Sequence, residues 1–465
     1  MFYFFPVFFG IYFMLPQKLR NYFITLSSIA FYVWGAPKYF SILAFSILFD
    51  FFIAKQIVKF DGRNRKLLLA FSVCVNVGLL LYFKYANFFV ENISASLTTM
   101  GFQEIKWVAV ALPIGISFFT FHELSYVIDV YRGVKKPMKN IADYALYILL
   151  FPQLIAGPIV RFNEISDQII DRKNQETLDN RIQGLFRFII GLAKKVLIAN
   201  SMAVVADQLF NAGAANLSTE QAWIGAIAYT FQIYFDFSGY SDMAIGMARM
   251  MGFKFPENFN NPYIAQSITD FWRRWHMTLS RWMRDYLYIP LGGNKVPTWR
   301  MYFNLWVVFI ISGFWHGAEW NFLVWGCYHG LFLVLDKLFL TKLTSHIGKL
   351  PRIILTFFLV VIGWVFFRAD NLNAAYDYLG VMFSPHLGSF EFIATNEFTT
   401  LLYVAIFFSF FGGLNFVERW QVNYLEKPKE GLRLIGATFV MAFLLLASLG
   451  SLAATGFNPF IYFRF

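Results

Sequence analysis

The chain has 465 residues, of which 58% are hydrophobic, 21% aromatic and only 14% charged. Soluble domains carry about 25% charged residues, so this composition excludes a soluble protein and indicates a membrane protein. The net charge of +11 is explained by Lys and Arg in cytoplasmic loops. No basic stretch has the pattern of a nucleic-acid-binding module, so we expect no nucleic-acid partner.

Long apolar segments recur along the whole chain. They lie near 2–15, 22–37, 39–54, 67–90, 107–128, 351–367, 398–416 and 434–453. Such runs are too long for barrel strands, and lipid requires every backbone polar group to be satisfied internally, so we predict an all-α polytopic bundle. At about 20 residues per crossing, the length allows roughly ten to twelve crossings. Basic loops after the first, third and fifth segments are predicted to be cytoplasmic. We treat residues 1–465 as one domain.

The middle of the chain departs from this simple pattern. Residues 151–162, FPQLIAGPIVRF, contain two prolines and a Gly-Pro step, which break a helix. Residues 181–200 mix basic and apolar side chains at helical spacing, which predicts a helix lying at the cytoplasmic interface. Broken helices persist in membranes only where protein or a water-filled cavity satisfies the backbone. We therefore expect a polar core with a tunnel at about 107–330.

Two polar islands interrupt this apolar sequence. One is residues 270–294, DFWRRWHMTLSRWMRDYLYIPLGGN, and the other is residues 312–330, SGFWHGAEWNFLVWGCYHG. Charged groups at membrane depth persist mainly where they line a cavity, pair or do chemistry. The function of the chain is therefore predicted to lie in these islands.

His316 is the first candidate for catalysis. Burial disfavours a charged imidazole, and a neutral imidazole can take a proton from an attacking hydroxyl as a general base. Gly313 and Gly317 are expected to let the backbone or a substrate approach the ring. A hydrogen-bonded packing histidine at a helix end fits the residue types equally well. The sequence alone therefore leaves both the catalytic and the structural interpretation of His316 open.

His276 is the second candidate, in a segment rich in charge. On a helix, Asp270 and Arg274 are four residues apart, as are Arg281 and Asp285, so each pair can neutralise its charges. His276 and Ser280 share the same spacing. Arg273 and Arg274 could hold an anionic donor. The alternative is a basic helix anchored at the membrane surface by its tryptophans.

Other polar residues carry weaker signals. His329 lies about 220° around a continuous helix from His316, so we interpret it as structural, and for His122 packing is also favoured. Asp236 and Asp242 could line a polar tunnel or pair with the arginine-rich island. The sequence has no His-Glu-x-x-His helix, cysteine ligand set, phosphate loop or Gly-x-Ser-x-Gly elbow, so we expect no metal and no ATP-driven pump.

Taken together, the motifs resemble the membrane-bound O-acyltransferase (MBOAT) superfamily, and within it the bacterial alginate O-acetylation branch. The matching segments, which span most of the chain, are LPIGISFFTFHELSYVIDVYRG (112–133), FPQLIAGPIVRF (151–162), YFDFSGYSDMAIG (234–246), PENFNNPY (256–263), DFWRRWHMTLSRWMRDYLYIPLGG (270–293) and FWHGAEWNFLVWGCYHG (314–330).

The resemblance implies a bundle of about eleven crossings with short re-entrant helices and two functional histidines. The signature histidine corresponds to His316, and the second polar position corresponds to His276. Asn321 corresponds to the asparagine of the Trp-Asn-Phe motif of this branch and is a candidate supporting residue. His122 stands where branch members often carry glutamine, so it is assigned no role.

The resemblance also implies an activity. It is the transfer of an acetyl group from a cytoplasmic thioester, acetyl-CoA or a relative used as substrate, with no bound cofactor. The acetyl group would pass to an extracytoplasmic partner protein that modifies a cell-surface polysaccharide, such as alginate, from the bacterial inner membrane. D-alanyl transfer to teichoic acid and a transporter of a polysaccharide precursor are the alternatives.

The last residues, PFIYFRF, resemble the aromatic string that ends some branch members. Tyr462 could be a transient acyl acceptor between the His316 site and the partner. An interfacial aromatic anchor is the favoured alternative.

Overall fold

The computed structural model describes residues 3–414, 417, 431–455 and 458–461. Every regular element in these ranges is helical, which confirms the predicted all-α class. The α-helices are α1 Phe4–Met14, α2 Gln17–Gly35, α3 Phe40–Ile57, α4 Gly62–Thr99, α5 Ile116–Tyr131, α6 Ile141–Leu149, α7 Phe151–Leu154, α8 Phe162–Ile170, α9 Leu178–Ala193, α10 Asn200–Asn211, α11 Thr219–Met250, α12 Ile268–Trp272, α13 Met277–Met283, α14 Thr298–His316, α15 Trp320–Leu335, α16 Thr341–Thr344, α17 Lys349–Arg368, α18 Leu372–Phe383, α19 Asn396–Phe410 and α20 Leu432–Thr455.

Six helical stretches among the described residues are long and apolar enough to cross a membrane. They are Pro37–Ile57, Gly62–Thr99, Leu178–Asn211, Trp320–Ile347, Lys349–Arg368 and Arg433–Ala454. Four of them coincide with the apolar segments predicted near 39–54, 67–90, 351–367 and 434–453. The larger number of crossings stays a prediction.

The predicted fifth segment, 107–128, is only partly helical. The chain from 102 to 113 has no regular structure, and α5 begins at Ile116. Gly115 precedes it with a φ of 77°, and a Cβ at this position would lie 2.6 Å from the carbonyl oxygen of Leu154. Only glycine combines this left-handed backbone with so close an approach, which fixes the start of the helix.

The predicted break at 151–162 is confirmed. The short helix α7 ends at Leu154, and the chain stays buried and non-helical up to Phe162. Side chains satisfy the freed backbone, because Tyr147 donates to the carbonyl of Val160 at 3.0 Å and Gln153 donates to the carbonyl of Tyr147 at 2.9 Å. The protein itself therefore supplies the partners that lipid lacks.

The segment 181–200 differs from its prediction. It belongs to a longer, largely buried stretch, Leu178–Asn211, with the length and composition of a membrane span rather than of an interfacial helix. A π-helical turn at Lys194–Ala199 joins α9 to α10. Lys194 and Lys195 bond to carboxylates on α11, so the protein neutralises the charges that suggested an interfacial position.

The contacts of the chain define two compact units. The first comprises Met1–Arg181 and Ala248–Pro256, and the second comprises Ile182–Met247 and Glu257–Phe465. Inside the first unit, the buried carboxylate of Asp50 accepts hydrogen bonds from Ser72 and Asn76 at 2.6 and 2.7 Å. Both polar islands fall in the second unit, and the single-domain organisation stays a prediction.

Candidate active site

His316 is the last residue of α14, at the tip of a helical hairpin. α14 and α15 run antiparallel and approach backbone to backbone: a Cβ at Gly313 would lie 2.4 Å from the carbonyl oxygen of Phe322, and one at Gly326 would lie 2.4 Å from that of Phe309. Small residues permit such packing between membrane helices. The hairpin therefore holds His316 against the start of α15.

The two glycines around His316 lie in close packing contacts with the second helix of the hairpin. Gly313 faces α15, and a Cβ at Gly317 would lie within 2.2 Å of the Phe322 ring. Gly317 also ends the helix in an extended conformation, which turns the chain towards α15. Their observed contacts are therefore structural, and their expected role in substrate approach stays a prediction.

Aromatic rings surround the His316 imidazole. The ring centroids of Trp325 and Phe367 each lie 5.2 Å from that of His316, in edge-to-face arrangements, and the Trp315 ring lies 4.8 Å away. His316 is only 5% exposed. This environment is largely apolar and contributes few charges to compete with a reacting group.

A narrow cavity opens beside His316. Its volume is about 10 Å³, which is room for about one water molecule. Its lining residues are Ile233, Phe237, Trp275, His316, Trp325, Trp364, Phe367 and Ile461. His316 is the residue of this lining that can accept a proton, so it is the place where base chemistry could occur.

His276 lies beside this cavity, with its ring centroid 6.5 Å from that of His316. It sits between α12 and α13 with a φ of 43°, a left-handed conformation that non-glycine residues rarely adopt. Backbone strain of this kind persists only where surrounding contacts hold it in place, and it is often found at functional sites.

Asn258 provides those contacts. Its side-chain oxygen lies 3.1 Å from Nδ1 of His276 and accepts the Thr278 hydroxyl at 2.8 Å, while its amide donates to Ser241 at 3.0 Å. Its carbonyl oxygen accepts the backbone N–H of Met277 at 2.9 Å. An accepting oxygen places the imidazole proton on Nδ1, which leaves Nε2 as a lone-pair acceptor.

The His276 ring is therefore a neutral, oriented group. It is fully buried, and this burial lowers the pKa of the imidazole to about 3. Nε2 is buried with no hydrogen-bond partner among the described residues. Asn258 lies in the matching segment 256–263, but the sequence analysis assigned it no role. Its position between two motifs rich in aromatic residues is the feature that could have indicated one.

The supporting residues predicted from the sequence lie outside the cavity lining. Asp270 and Arg274 form the expected ion pair at 3.0 Å, Asp285 pairs with Arg284 at 2.7 Å, and Arg273 is exposed. The hydroxyl of Ser280 donates to the carbonyl of Trp272 at 3.1 Å. The Asp270–Arg274 pair and the Ser280 hydrogen bond stabilise the turn that carries His276.

Asn321 and His329 also have structural surroundings. The amide of Asn321 donates to the carbonyls of Phe366 and Ala369 at 3.2 and 2.8 Å and so closes the end of α17. His329 lies inside α15, fully buried, with its ring 5.0 Å from Trp325. His316 and His329 lie on different helices, because α14 ends at His316. The angle of about 220° expected between them on a continuous helix therefore does not apply.

Three further predicted residues complete the comparison. His122 is fully buried in the first unit, 5.5 Å from the ring of Tyr147. Asp236 and Asp242 do pair, but with Lys195, Lys194 and Arg187 on the preceding helix rather than with the arginine-rich island. Tyr462 lies outside the described residues.

In the part of the chain that the structure describes, every regular element is helical and six stretches are long and apolar enough to cross a membrane, which is typical of an integral membrane protein. Residues 66–369 match the MBOAT, membrane-bound O-acyltransferase family. A probable alginate O-acetylase from Pseudomonas putida is 41% identical over all of this chain and 98% of its own length. A peptidoglycan O-acetyltransferase from Helicobacter pylori is 40% identical over 80% of this chain and 76% of its own length.

A teichoic acid D-alanyltransferase from Streptococcus thermophilus is similar over a shorter region. It is 33% identical over 49% of this chain and 58% of its own length. The chain therefore belongs to the MBOAT family and is a membrane O-acyltransferase, as the sequence motifs indicated.

Proposed function

We propose that this protein passes an acetyl group from a cytoplasmic thioester to an extracytoplasmic partner that O-acetylates a cell-surface polysaccharide. The names of relatives that cover most or all of this chain support acetyl transfer to a polysaccharide, alginate in one case and peptidoglycan in another. The donor, of the acetyl-CoA type, the partner protein, the bacterial inner membrane and a bundle of about eleven crossings belong to the same proposal.

The observation that carries the chemistry is the position of His316 in a narrow aromatic cavity next to a second, neutral histidine. In the proposed reaction, His316 takes the proton of the acceptor hydroxyl while the oxygen attacks the thioester carbonyl. The C–O bond forms and the C–S bond breaks. The imidazolium then returns its proton to the leaving thiolate.

Two neighbours complete this proposed site. The unpartnered Nε2 of His276 is placed to accept a hydrogen bond from the acceptor or from a bridging water. The indole N–H of Trp325 is buried in the cavity wall and has no hydrogen-bond partner among the residues that the structure describes, so it is a candidate donor to the oxyanion. Asp270, Arg273, Arg274, Ser280, Asp285 and Asn321 support the site from outside the lining.

D-alanyl transfer to teichoic acid is the second candidate function. It is supported by the D-alanyltransferase relative, at lower identity over about half of the chain. A transporter of a polysaccharide precursor has less support, since the family relation points to acyl transfer. Tyr462 as an acyl relay stays a hypothesis; normal transfer by Tyr462→Phe would end it.

The test is mass analysis of surface glycans from cells that carry the wild type, His316→Ala or His329→Gln. We expect acetyl groups to disappear with His316→Ala and to persist with His329→Gln, a buried histidine that does not line the cavity. Thermal unfolding of each purified variant controls for folding. Full acetylation by His316→Ala would contradict the proposed base, and D-alanyl groups in place of acetyl would favour the second function.

A further inference from the structure

One wall of the His316 cavity comes from a remote part of the sequence, residues 458–461. Ile461 is 3% exposed and lines the cavity together with Phe237 and Trp325. This short stretch, called here the wall segment, has one residue of 3₁₀ character and no regular helix. Its position therefore depends on side-chain contacts rather than on its own secondary structure.

A buried ion pair makes those contacts. Lys195 and Asp236 bond to each other and are 5% and 2% exposed. Each also binds the backbone of the wall segment: Lys195 Nζ donates to the carbonyl of Pro459 at 3.0 Å, and Asp236 accepts the N–H of Ile461 at 2.9 Å. Hydrogen bonds to charged groups are shorter and stronger than neutral ones.

Aromatic packing supports the same position. Lys195 Nζ lies 4.8 Å from the ring centroid of Phe460, within the range of a cation–π contact. The Phe460 ring in turn meets Tyr240 edge to face at 4.9 Å. The lysine, the aspartate and the tyrosine thus hold three successive residues of the wall segment.

The helices α9 to α11 are built to bring this pair together. A Cβ at Gly191 would lie 2.5 Å from the carbonyl oxygen of Gly239, so the two helices touch through their backbones. The π-helical turn that begins at Lys194 changes the helical phase next to this crossing, and such turns often mark functional sites. Both Lys194 and Lys195 consequently reach carboxylates of α11.

A second ion cluster nearby, formed by Asp242 with Lys194 and Arg187, is neutralised without the wall segment. Lys194 and Arg187 bond to Asp242 at 2.7 and 2.6 Å; the carboxylate is buried, and the two cations are partly exposed. Asp242 bonds to these two cations and, among the described residues, not to the wall segment. A buried ion pair contributes little net stability by itself. Lys195 and Asp236 therefore differ from the Asp242 cluster through their hydrogen bonds to the backbone of Pro459 and Ile461.

We propose that Lys195 and Asp236 are positioning residues that clamp the wall segment, so that Ile461 closes the His316 cavity to water. This inference rests on the proposed acyl transfer, because a closed wall allows the acyl carbon to meet an alcohol rather than water. With the clamp open, water would attack the thioester carbonyl, and free acetate and thiol would form in place of the ester.

The position of the wall segment can be measured without any acyl transfer. The background is the full chain with Cys74→Ser and Cys327→Ser, and Ile461→Cys carries the probe. Its reaction rate with N-ethylmaleimide should be slow, and Asp236→Asn should raise it by at least about tenfold through local opening. The matched variant Asp242→Asn should leave the rate unchanged. Equal rates in both variants, or no increase, would overturn the clamp.

A charge exchange separates the clamp from a structural ion pair. Lys195→Asp combined with Asp236→Lys keeps opposite charges but places an acceptor opposite the Pro459 carbonyl and a donor opposite the Ile461 N–H. We expect labelling to stay fast in this double variant. Slow labelling, as in the wild type, would show that the pair acts through its charges alone and would overturn the proposal.

The catalytic consequence is the ratio of thioester hydrolysis to acetyl transfer, measured with acetyl-CoA and an acceptor alcohol in vesicles containing the full chain. Asp236→Asn should raise this ratio by about tenfold, and Asp242→Asn should not change it. An unchanged ratio with fast labelling would overturn the water-exclusion role. If His316→Ala transfers acetyl normally while the labelling differences persist, the proposed base fails and the clamp remains. If the wild type transfers no acetyl while the labelling differences persist, the proposed function fails and the clamp remains.

Discussion

The two histidines lie 6.5 Å apart but are held in opposite ways. His316 sits at the end of a long helix, and the packing of two helices and a ring of aromatic side chains fixes it. His276 sits at a break between short helices, and a polar network centred on Asn258 fixes it. Apolar packing thus positions the imidazole of His316. Hydrogen bonding positions the imidazole of His276 and also sets its tautomer.

The largest expected effect tests whether the two histidines act together. His276→Ala should lower kcat by about 10²–10⁴-fold, the usual contribution of a positioned acid–base group. The double variant with His316→Ala should be no worse than His316→Ala alone, because groups that act as a unit are non-additive. Acetyl-transfer kinetics on purified protein would measure both. Multiplying effects would instead show that the histidines act independently.

The second prediction concerns the packing that holds His316. Gly326→Ala adds a Cβ 2.4 Å from the carbonyl of Phe309 and should destabilise the protein by about 1–3 kcal/mol, with a lower Tm and reduced activity. Gly380→Ala is the matched control, since a Cβ there has no neighbour within 4 Å. Equal Tm values for the two variants would contradict the packing of this hairpin.

The third prediction concerns the cavity wall. Trp325→Phe keeps an aromatic ring but removes the indole N–H, and it should lower kcat by about tenfold with little change in KM if this group binds the oxyanion. Trp282→Phe, a buried tryptophan outside the lining, is the control. A change confined to KM would assign Trp325 to substrate binding instead.

The smallest expected effect concerns pH. Because the pKa of His276 is lowered to about 3, its ring stays neutral at all pH values near neutrality. Protonation of His276 should therefore not reduce acetyl transfer by the wild type in this pH range. Asn258→Asp places a carboxylate beside Nδ1, which favours the imidazolium and raises that pKa. Activity of this variant should therefore fall as pH is lowered, at a higher pH than in the wild type. Ser241→Ala, which leaves Asn258 in place, serves as the control.

A pH–rate profile for each protein would decide this point. Superimposable profiles for Asn258→Asp and the wild type would show that the protonation of His276 does not affect the measured step. That result would place His276 outside the reaction and leave His316 as the single acid–base group of the pair.

Much of the fold followed from local sequence. The all-helical class and four apolar spans followed from hydropathy, and the break at 151–162 followed from its prolines. The ion pair of Asp270 and Arg274 followed from helical spacing. Each of these features depends on neighbours within a few turns, which is the range that a sequence pattern can report.

The candidate site was predicted only in part, for a physical reason. His316 and His276 were found because polar residues are rare and costly in an apolar chain. Asn258 and Ile461 were missed as site residues, since an asparagine and an isoleucine are unremarkable until the fold brings them close. The partners of Asp236 were also misassigned, because a π-helical turn changes which lysines face it.

The sequence by itself determined the class of the protein and its membrane-embedded character, and it singled out the two histidines as candidates, because composition, periodicity and rare polar residues are local properties. Only the tertiary structure decided which residues enclose His316, which group orients His276 and which ion pair holds the wall segment. Those contacts join residues up to 264 positions apart, and their geometry depends on how whole helices pack against one another.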